Sequence, residues 1–319
     1  MVRNQKSKWK FLIRLAGTIF SIVLLIFLFS SVGTEELLSS LRKISSGTIL
    51  LIVALIFVSR LATFARWHSL LQIESVKVNW KDSLRLTFAG LFAANFLPTT
   101  IGGDVVRLAG AMRLGIGGSL AAASLMVDRL IGMAGMAVVA PLGLVPVLTN
   151  LNKFTNSSTH VLILHSGFFG NNKIVLRIRA MIQKVFASFS FWYRHPRFLL
   201  IAMFFTFIHM LATFLIVYVL VVGMNDTISF WKIAGLWSLT YFITLIPISI
   251  NGLGLQEVSF INLFTLFGGL SDSTGLSIAL IMRVLMLLAS VPGAFFVSSI
   301  ISGDTYTNIS EKNPLELED

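Results

Sequence analysis

The chain has 319 residues, of which 55% are hydrophobic and only 12% are charged, and its mean hydropathy is +0.85. Ordinary soluble proteins have about 25% charged residues, so this composition excludes a soluble globular protein. There is no cysteine, which excludes disulfides, thiolate catalysis and sulfur-ligated metals. The formal net charge of +11 points to basic loops and anionic lipids rather than to a nucleic-acid partner, because the chain belongs in a membrane.

The apolar residues form long solid runs, which predict an all-α, polytopic transmembrane helical bundle rather than a barrel of short alternating segments. The predicted helices, in chain order, cover residues 11–32, 49–71, 84–97, 120–148, 198–222, 230–250 and 276–301. We therefore expect a single transmembrane domain over residues 1–302. The remaining segment, 303–319, is short and acidic and is expected to form a disordered tail.

Basic residues predict the orientation of the chain in the membrane. Several precede or begin the first apolar run, which is too long for a signal peptide and has no cleavage site directly after it. The N-terminus is therefore expected on the cytoplasmic side of the cytoplasmic membrane. A second basic cluster, at 177–197, is expected on the same side, on an amphipathic interfacial helix. The intervening stretch, 150–175, is polar and short for a crossing, which leaves the number of crossings open.

One unusual pattern occurs twice. "FLPTTIGGDVVRLAG" and "LIPISINGLGLQEVSF" each contain a proline, then two close glycines, then an acid, and each continues as an apolar helix. Arg129 lies 25 residues after Asp104, and Arg283 lies 26 residues after Glu257. Gly/Pro-interrupted segments in corresponding positions of two halves are typical of transport sites built from broken helices. The pattern predicts two re-entrant segments related as an inverted repeat, although a chance match is the alternative.

Charged residues inside the apolar stretches carry the functional hypothesis. Eight of them lie in or beside predicted helices: Arg60, Arg66, Asp104, Arg107, Asp128, Arg129, Glu257 and Arg283. At about 3 kcal/mol each, exposing them to lipid would cost roughly 24 kcal/mol, so they are expected to face the bundle interior. Five are cationic and three are acidic, and the excess positive charge favours an anionic ligand. A static clamp of ion pairs would explain the same residues, and both readings stay open.

The segments "NFLPTTIGGDVVRL", "VDRLIG" and "PISINGLGLQE" resemble the hallmarks of the lysylphosphatidylglycerol synthase transmembrane region family, also called flippase-like membrane domains. The resemblance covers roughly residues 10–302. It implies a domain that moves an aminoacylated phospholipid between leaflets, while a separate soluble domain attaches the amino acid. Other relatives are linked to hopanoid, polyprenyl-linked sugar or archaeal glycan pathways. Matched to the family pattern are Asn95, Pro98, Gly102, Gly103, Asp104, Arg107, Asp128, Arg129, Gly252, Gly254 and Glu257.

The chain departs from the family pattern in having no aminoacyltransferase domain, so we do not expect it to be an enzyme. We expect a flippase-like protein that moves an anionic phospholipid or a lipid-linked polyprenyl, glycosyl or aminoacyl substrate. The alternative is a lipid-binding subunit of a glycosyl- or aminoacyl-lipid transferase that does not transport. The five histidines of the chain lack the spacing of metal ligands, so no metal or cofactor is expected. The expected partners are membrane lipids, together with a lipid-modifying enzyme or a glycosyltransferase.

The predicted orientation is open to a direct test. Single cysteines introduced near the N-terminus and near Lys184 should both be labelled from the cytoplasmic side, since both positions lie in basic clusters beside apolar runs. The native chain has no cysteine to interfere with labelling. Labelling of the two positions from opposite sides of the membrane would contradict the orientation.

Overall fold

A computed structural model describes residues 44–72, 78–95, 97, 102–154, 192, 195–246 and 252–302 of this chain. Within these ranges the regular structure is helical throughout, which confirms the all-α class. The helices are α1 (Ser46–Leu71), α2 (Trp80–Ala93), α3 (Gly102–Arg113), α4 (Gly118–Val139), α5 (Pro141–Phe154), α6 (Pro196–Gly223), α7 (Phe230–Thr244), α8 (Leu255–Leu263), α9 (Asp272–Ser290) and α10 (Pro292–Ser302).

Four segments of the described chain are long and apolar enough to cross a membrane: α1, α4, α6 and the stretch Asp272–Val297, which joins α9 to α10. The 26 residues of α1 extend about 39 Å at roughly 1.5 Å per residue, more than the ~30 Å hydrocarbon thickness. Large apolar side chains on the outer faces of α1 and α6, such as Phe57 and Phe207, are exposed. In a membrane protein this exposure is what lipid contact requires.

Two hydrophobic cores hold the bundle together. One lies among α1, α6, α7, α8 and α9 and contains Ile56, Leu220, Leu236 and Phe264. The other lies among the C-terminal end of α1 and helices α2, α3 and α4, around the fully buried Trp67 and Leu86. Helices α1 and α6 have the most extensive contact in the described chain, and they connect the two cores.

Three predicted helices are divided or end earlier in the structure, in each case at or near a proline. The single helix expected at 120–148 is two helices, α4 and α5, because Pro141 has no amide hydrogen to continue the helical bonding of α4. Pro292 divides the helix expected at 276–301 into α9 and α10 for the same reason. The helix expected at 230–250 ends earlier, at Thr244, three residues before Pro247. Residues before a proline are disfavoured in helical conformation.

The two repeated motifs fall at interruptions between helices. Helix α2 ends at Ala93 and α3 begins at Gly102, while α7 ends at Thr244 and α8 begins at Leu255. Helices α3 and α8 have 12 and nine residues, too few to cross a membrane, for which about 20 are needed. Their short length is compatible with broken helices, whereas the re-entrant path and the inverted repeat stay predictions.

Several expectations lie outside the described residues. They are the first predicted helix at 11–32, the basic cluster at 177–197 apart from its last residues, Pro98, most of the uncertain crossing at 150–175, and the tail at 303–319. The division into one domain and a tail therefore stays a prediction.

Close backbone contact between α5 and α7 generates a stability prediction. A Cβ atom on Gly235 would overlap the backbone of Leu142 and Gly143, so Gly235→Ala should force the two helices apart. Overpacking of this kind costs ~1–3 kcal/mol. Thermal unfolding in detergent should show a lower Tm for Gly235→Ala. The control Gly47→Ala should not lower the Tm, because a Cβ at Gly47 in α1 would make only an ordinary contact of 3.8 Å with Ser45 Oγ. An equal fall in Tm for the two variants would contradict the packing.

Candidate functional site

Asp128 of α4 is the centre of a buried group of charges. Its Oδ1 accepts from Nε of Arg66 on α1 at 2.6 Å, and its Oδ2 accepts from Nη1 and Nη2 of Arg107 on α3 at 3.2 Å each. Asp128 is only 2% exposed. One carboxylate therefore bridges two guanidinium groups from two other helices, with charge-assisted hydrogen bonds to both of its oxygens.

Asp104, in the first turn of α3, extends this group. Its Oδ1 accepts from Nη1 of Arg107 at 3.1 Å, and its Oδ2 accepts from Nε of Arg129 on α4. Arg66, Asp104, Arg107, Asp128 and Arg129 form one connected set of three cations and two anions, here called the arginine–aspartate cluster. Asp128 and Arg129 are adjacent in sequence but bind different partners, because successive residues of a helix project in different directions.

Neighbouring residues fix the orientation of the cluster. The Arg107 guanidinium lies 4.1 Å from the ring centroid of Trp67, a cation–π contact. The Trp67 indole in turn donates to Oγ of Ser124 on α4 at 3.1 Å. Gly132, one turn after Asp128, leaves room for Arg66: a Cβ there would lie 3.3 Å from its Nη1. Helices α1, α3 and α4 are thus joined by both polar and packing contacts.

The second motif contains a parallel ion pair. Glu257, in the first turn of α8, accepts from Nε of Arg283 on α9. This pair has the same arrangement as Asp104 with Arg129: an acid at the start of the short helix and an arginine on the next long one. Gly252 and Gly254 precede α8 with φ of +71° and +76°, a region of backbone conformation that residues other than glycine rarely adopt. The two glycines are therefore required by the turn into α8.

A cavity of about 330 Å³ lies between the two motifs. Its polar lining comes from seven helices or their ends, together with apolar residues such as Leu91 and Met136. The polar and aromatic lining residues are Arg60, Asn95, Arg129, His209, Thr213, Trp237, Tyr241, Thr244, Gln256, Arg283 and Ser290. Three of these side chains are arginines, and none of the described residues in the lining is a carboxylate.

Arg60 differs from the other arginines of the site. Among the residues that the structure describes, no carboxylate lies within salt-bridge distance of it, and its Nε is buried with no hydrogen-bond partner. Its Nη2 lies against the sulfur of Met286, which is a weak acceptor. The adjacent Ser59 binds Nδ1 of His209 on α6 at 2.8 Å. Arg60 is therefore a cation in the cavity wall without a negative neighbour.

The residues predicted from the sequence are divided between two places. Arg60, Asn95, Arg129, Gly252 and Arg283 line the cavity. Glu257 binds Arg283 from outside the lining, and Gly254 caps α8. Arg66, Asp104, Arg107 and Asp128 belong to the arginine–aspartate cluster behind the cavity wall. Whether any of them binds substrate stays a prediction.

Gly102 and Gly103 lie where α3 comes close to α2 and to the residues after α2. Both are buried and neither lines the cavity. A Cβ on Gly103 would overlap the carbonyl of Gly90 on α2, and one on Gly102 would overlap the side chain of Leu97. Their role is to let α3 pack closely against α2 and against the residues that directly follow α2. Leucine at Gly103 is consequently expected to impair folding, not only activity.

Several lining residues were not singled out from the sequence. His209 and Thr213 are one turn apart on α6, and Tyr241 and Thr244 lie near the end of α7. Gln256 directly precedes Glu257. The signal that could have identified them is weak: a polar side chain within an apolar run, such as His209 in "MFFTFIHMLATF".

The family comparison agrees with the motifs. A family model described as the lysylphosphatidylglycerol synthase TM region matches residues 14–293. The chain belongs to this family. The match includes all three motifs, the arginine–aspartate cluster and the cavity lining, and it confirms the resemblance inferred from the motifs. This lysylphosphatidylglycerol synthase TM region protein is an integral membrane protein of lipid metabolism or transport. No significantly similar curated protein was found.

The cluster predicts that Asp128 is essential for stability. Asp128→Asn leaves Arg66 without its anion and Arg107 with Asp104 as its remaining carboxylate partner. Removing one member of a buried ion pair costs ~3–5 kcal/mol, so the Tm in detergent should fall strongly. The control is Asp82→Asn, which removes the 3.6 Å pair with the exposed Arg85 and should cost no more than about 1 kcal/mol. A similar Tm for both variants would contradict the role of the cluster.

Proposed function

We propose that this protein moves an anionic lipid between the leaflets of the membrane by admitting the phosphate of its headgroup to the cavity beside Arg60. The observation that supports this proposal is the position of Arg60, which lines the cavity without a carboxylate partner among the described residues. Four other arginines of the site, Arg66, Arg107, Arg129 and Arg283, already bind carboxylates.

The energetics favour an anion at this point. A cation near the centre of a membrane costs ~3 kcal/mol even on the lowest scales, and the cost persists while the charge has no partner. A phosphate offers acceptors that match the forked guanidinium and can bind two of its N–H groups. Binding an anionic headgroup would thus offset the cost of burying this charge.

The position of the cavity supports movement in addition to binding. It lies between the two helix interruptions, α2 to α3 and α7 to α8, and broken helices near a central site are typical of transporters. Its volume of about 330 Å³ is at the lower end of the ~300–1,000 Å³ range of small-molecule sites. That volume suits a headgroup and not a whole lipid, so the acyl chains would remain in the bilayer while the headgroup passes.

A lipid-binding subunit of a synthase is the alternative, because the family description itself names a synthase. Such a subunit would use the same cavity to hold the lipid for a partner enzyme. The two functions differ in one measurable property: a transporter exchanges lipid between leaflets when reconstituted alone, and a subunit binds lipid without exchanging it.

Arg60→Gln tests the proposal. With the full chain in liposomes, this variant should lose at least about tenfold in the rate of leaflet exchange of labelled phosphatidylglycerol, because the cation that meets the phosphate is absent. Its Tm in detergent should stay the same or rise, since removing an unpaired buried charge strands no partner.

The matched control is Arg85→Gln, which removes an equal charge from the exposed face of α2 and should leave exchange unchanged. Wild-type exchange in Arg60→Gln would contradict the role of Arg60. Binding of phosphatidylglycerol without any exchange by the native protein would favour the subunit over the transporter.

A further inference from the structure

The chemistry of the cavity wall bears on the part of the headgroup beyond the phosphate. We propose that this part is uncharged and hydroxylated, as in a polyol or sugar phosphate, and that the site selects against headgroups that carry an ammonium, including aminoacylated ones. This inference rests on the proposed function, because it specifies the lipid that the same cavity admits. The observation behind it is that, in the part of the chain that the structure describes, the cavity lining contains three arginines and no carboxylate.

The nearest carboxylates are not free to receive an ammonium. Both oxygens of Asp104 and both oxygens of Asp128 already accept from arginines. Neither residue lines the cavity. An ammonium that entered would therefore meet cations and find no anion that was not already bound.

Glu257 has one unused oxygen, but it faces elsewhere. Its Oε2 has no hydrogen-bond partner, and the side chain is 1% exposed. It borders a separate small void, which shares Trp237 and Gln256 with the cavity lining and is closed by Phe260 and Met282. An ammonium could reach this oxygen only by entering an apolar pocket that has no room for it.

Aromatic rings could hold an ammonium in place of a carboxylate, and the cavity lining includes Trp237 and Tyr241. However, Trp237 is 9% exposed and packs edge-to-face on Phe260, with ring centroids 5.9 Å apart. Tyr241 is half-buried and packs edge-to-face on Phe242, with ring centroids 5.6 Å apart. Little of either ring face is open, and an ammonium held there would lie in the same small space as the unpaired guanidinium of Arg60.

The neutral part of the lining is suited to hydroxyl groups instead. Asn95, Thr213, Thr244, Gln256 and Ser290 contribute amide and hydroxyl groups. The hydroxyls of Thr213, Thr244 and Ser290 donate to backbone carbonyls of their own helices, which leaves their oxygens as acceptors. A polyol or sugar donates hydrogen bonds to such acceptors and can accept one from the amide of Gln256, without bringing a charge.

The experiment compares acyl-labelled lipids with identical chains in liposomes that contain the full protein. The probes are phosphatidylglycerol, phosphatidylinositol as a cyclic polyol phosphate, lysyl-phosphatidylglycerol, phosphatidylethanolamine and a glucosyl diacylglycerol without phosphate. We expect exchange of the first two, at least about tenfold slower exchange of the two ammonium lipids, and no exchange of the lipid without phosphate. The ratio between phosphatidylglycerol and phosphatidylinositol separates a small polyol from a ring.

A second measurement keeps the inference independent of transport. The rise in Tm that each lipid causes in detergent reports its binding to the folded protein. If no lipid exchanges, the proposed transport fails, and the order of the Tm shifts still tests the preference for uncharged headgroups. Lysyl-phosphatidylglycerol that exchanges or binds as well as phosphatidylglycerol would overturn the inference while leaving transport intact.

A variant that adds a negative charge to the cavity lining gives the most specific test. Thr244→Asp places a carboxylate of similar size in the lining, at a side chain whose hydroxyl bonds the Tyr241 carbonyl and not an arginine, and it should shift the exchange ratio toward lysyl-phosphatidylglycerol by at least about tenfold. The control Asn225→Asp adds the same charge in the exposed loop after α6 and should leave the ratio unchanged. An unchanged ratio in Thr244→Asp, in a variant that keeps its Tm, would contradict the assignment of headgroup choice to the cavity wall.

Discussion

Neutralising buried charge is the constraint on which the rest of this structure depends. Asp128 forms ion pairs with arginines of two other helices, and Asp104 forms one with Arg129. Helices α1, α3 and α4 therefore pack in the arrangement that allows these contacts. Glu257 and Arg283 join α8 to α9 in the same way. In hydrocarbon each of these charges would be costly alone, and the short helices α3 and α8 are held by these bonds as well as by packing.

The same constraint reconciles the two readings that the sequence left open. Four arginines of the site bind carboxylates and act as clamps between helices, as a static network requires. Arg60 has no such partner in the described chain and lies in the wall of a cavity. Arg129 and Arg283 belong to both, because they bind carboxylates and also line the cavity. The ion pairs thus hold the helices that form the cavity wall, and the proposed role of Arg60 depends on that fixed wall.

The sequence predicted what local chemistry and periodicity determine. The helices, the interior placement of the charges and the parallel between Asp104–Arg129 and Glu257–Arg283 follow from apolar runs and from equal spacing along the chain. It could not predict contacts between distant segments, such as Arg66 with Asp128, or the fact that Gly103 packs on Gly90 instead of on a lipid. Prolines 141 and 292 ended helices that hydropathy alone had joined, because hydropathy does not report backbone hydrogen bonding.

The most direct test of the account is a structure of the protein in a bilayer of anionic phospholipid. The account predicts a phosphate within about 3 Å of the Arg60 guanidinium, at hydrogen-bonding distance, while Arg66 and Arg107 stay bound to Asp128. A carboxylate side chain on Arg60, with lipid phosphate bound elsewhere, would contradict it.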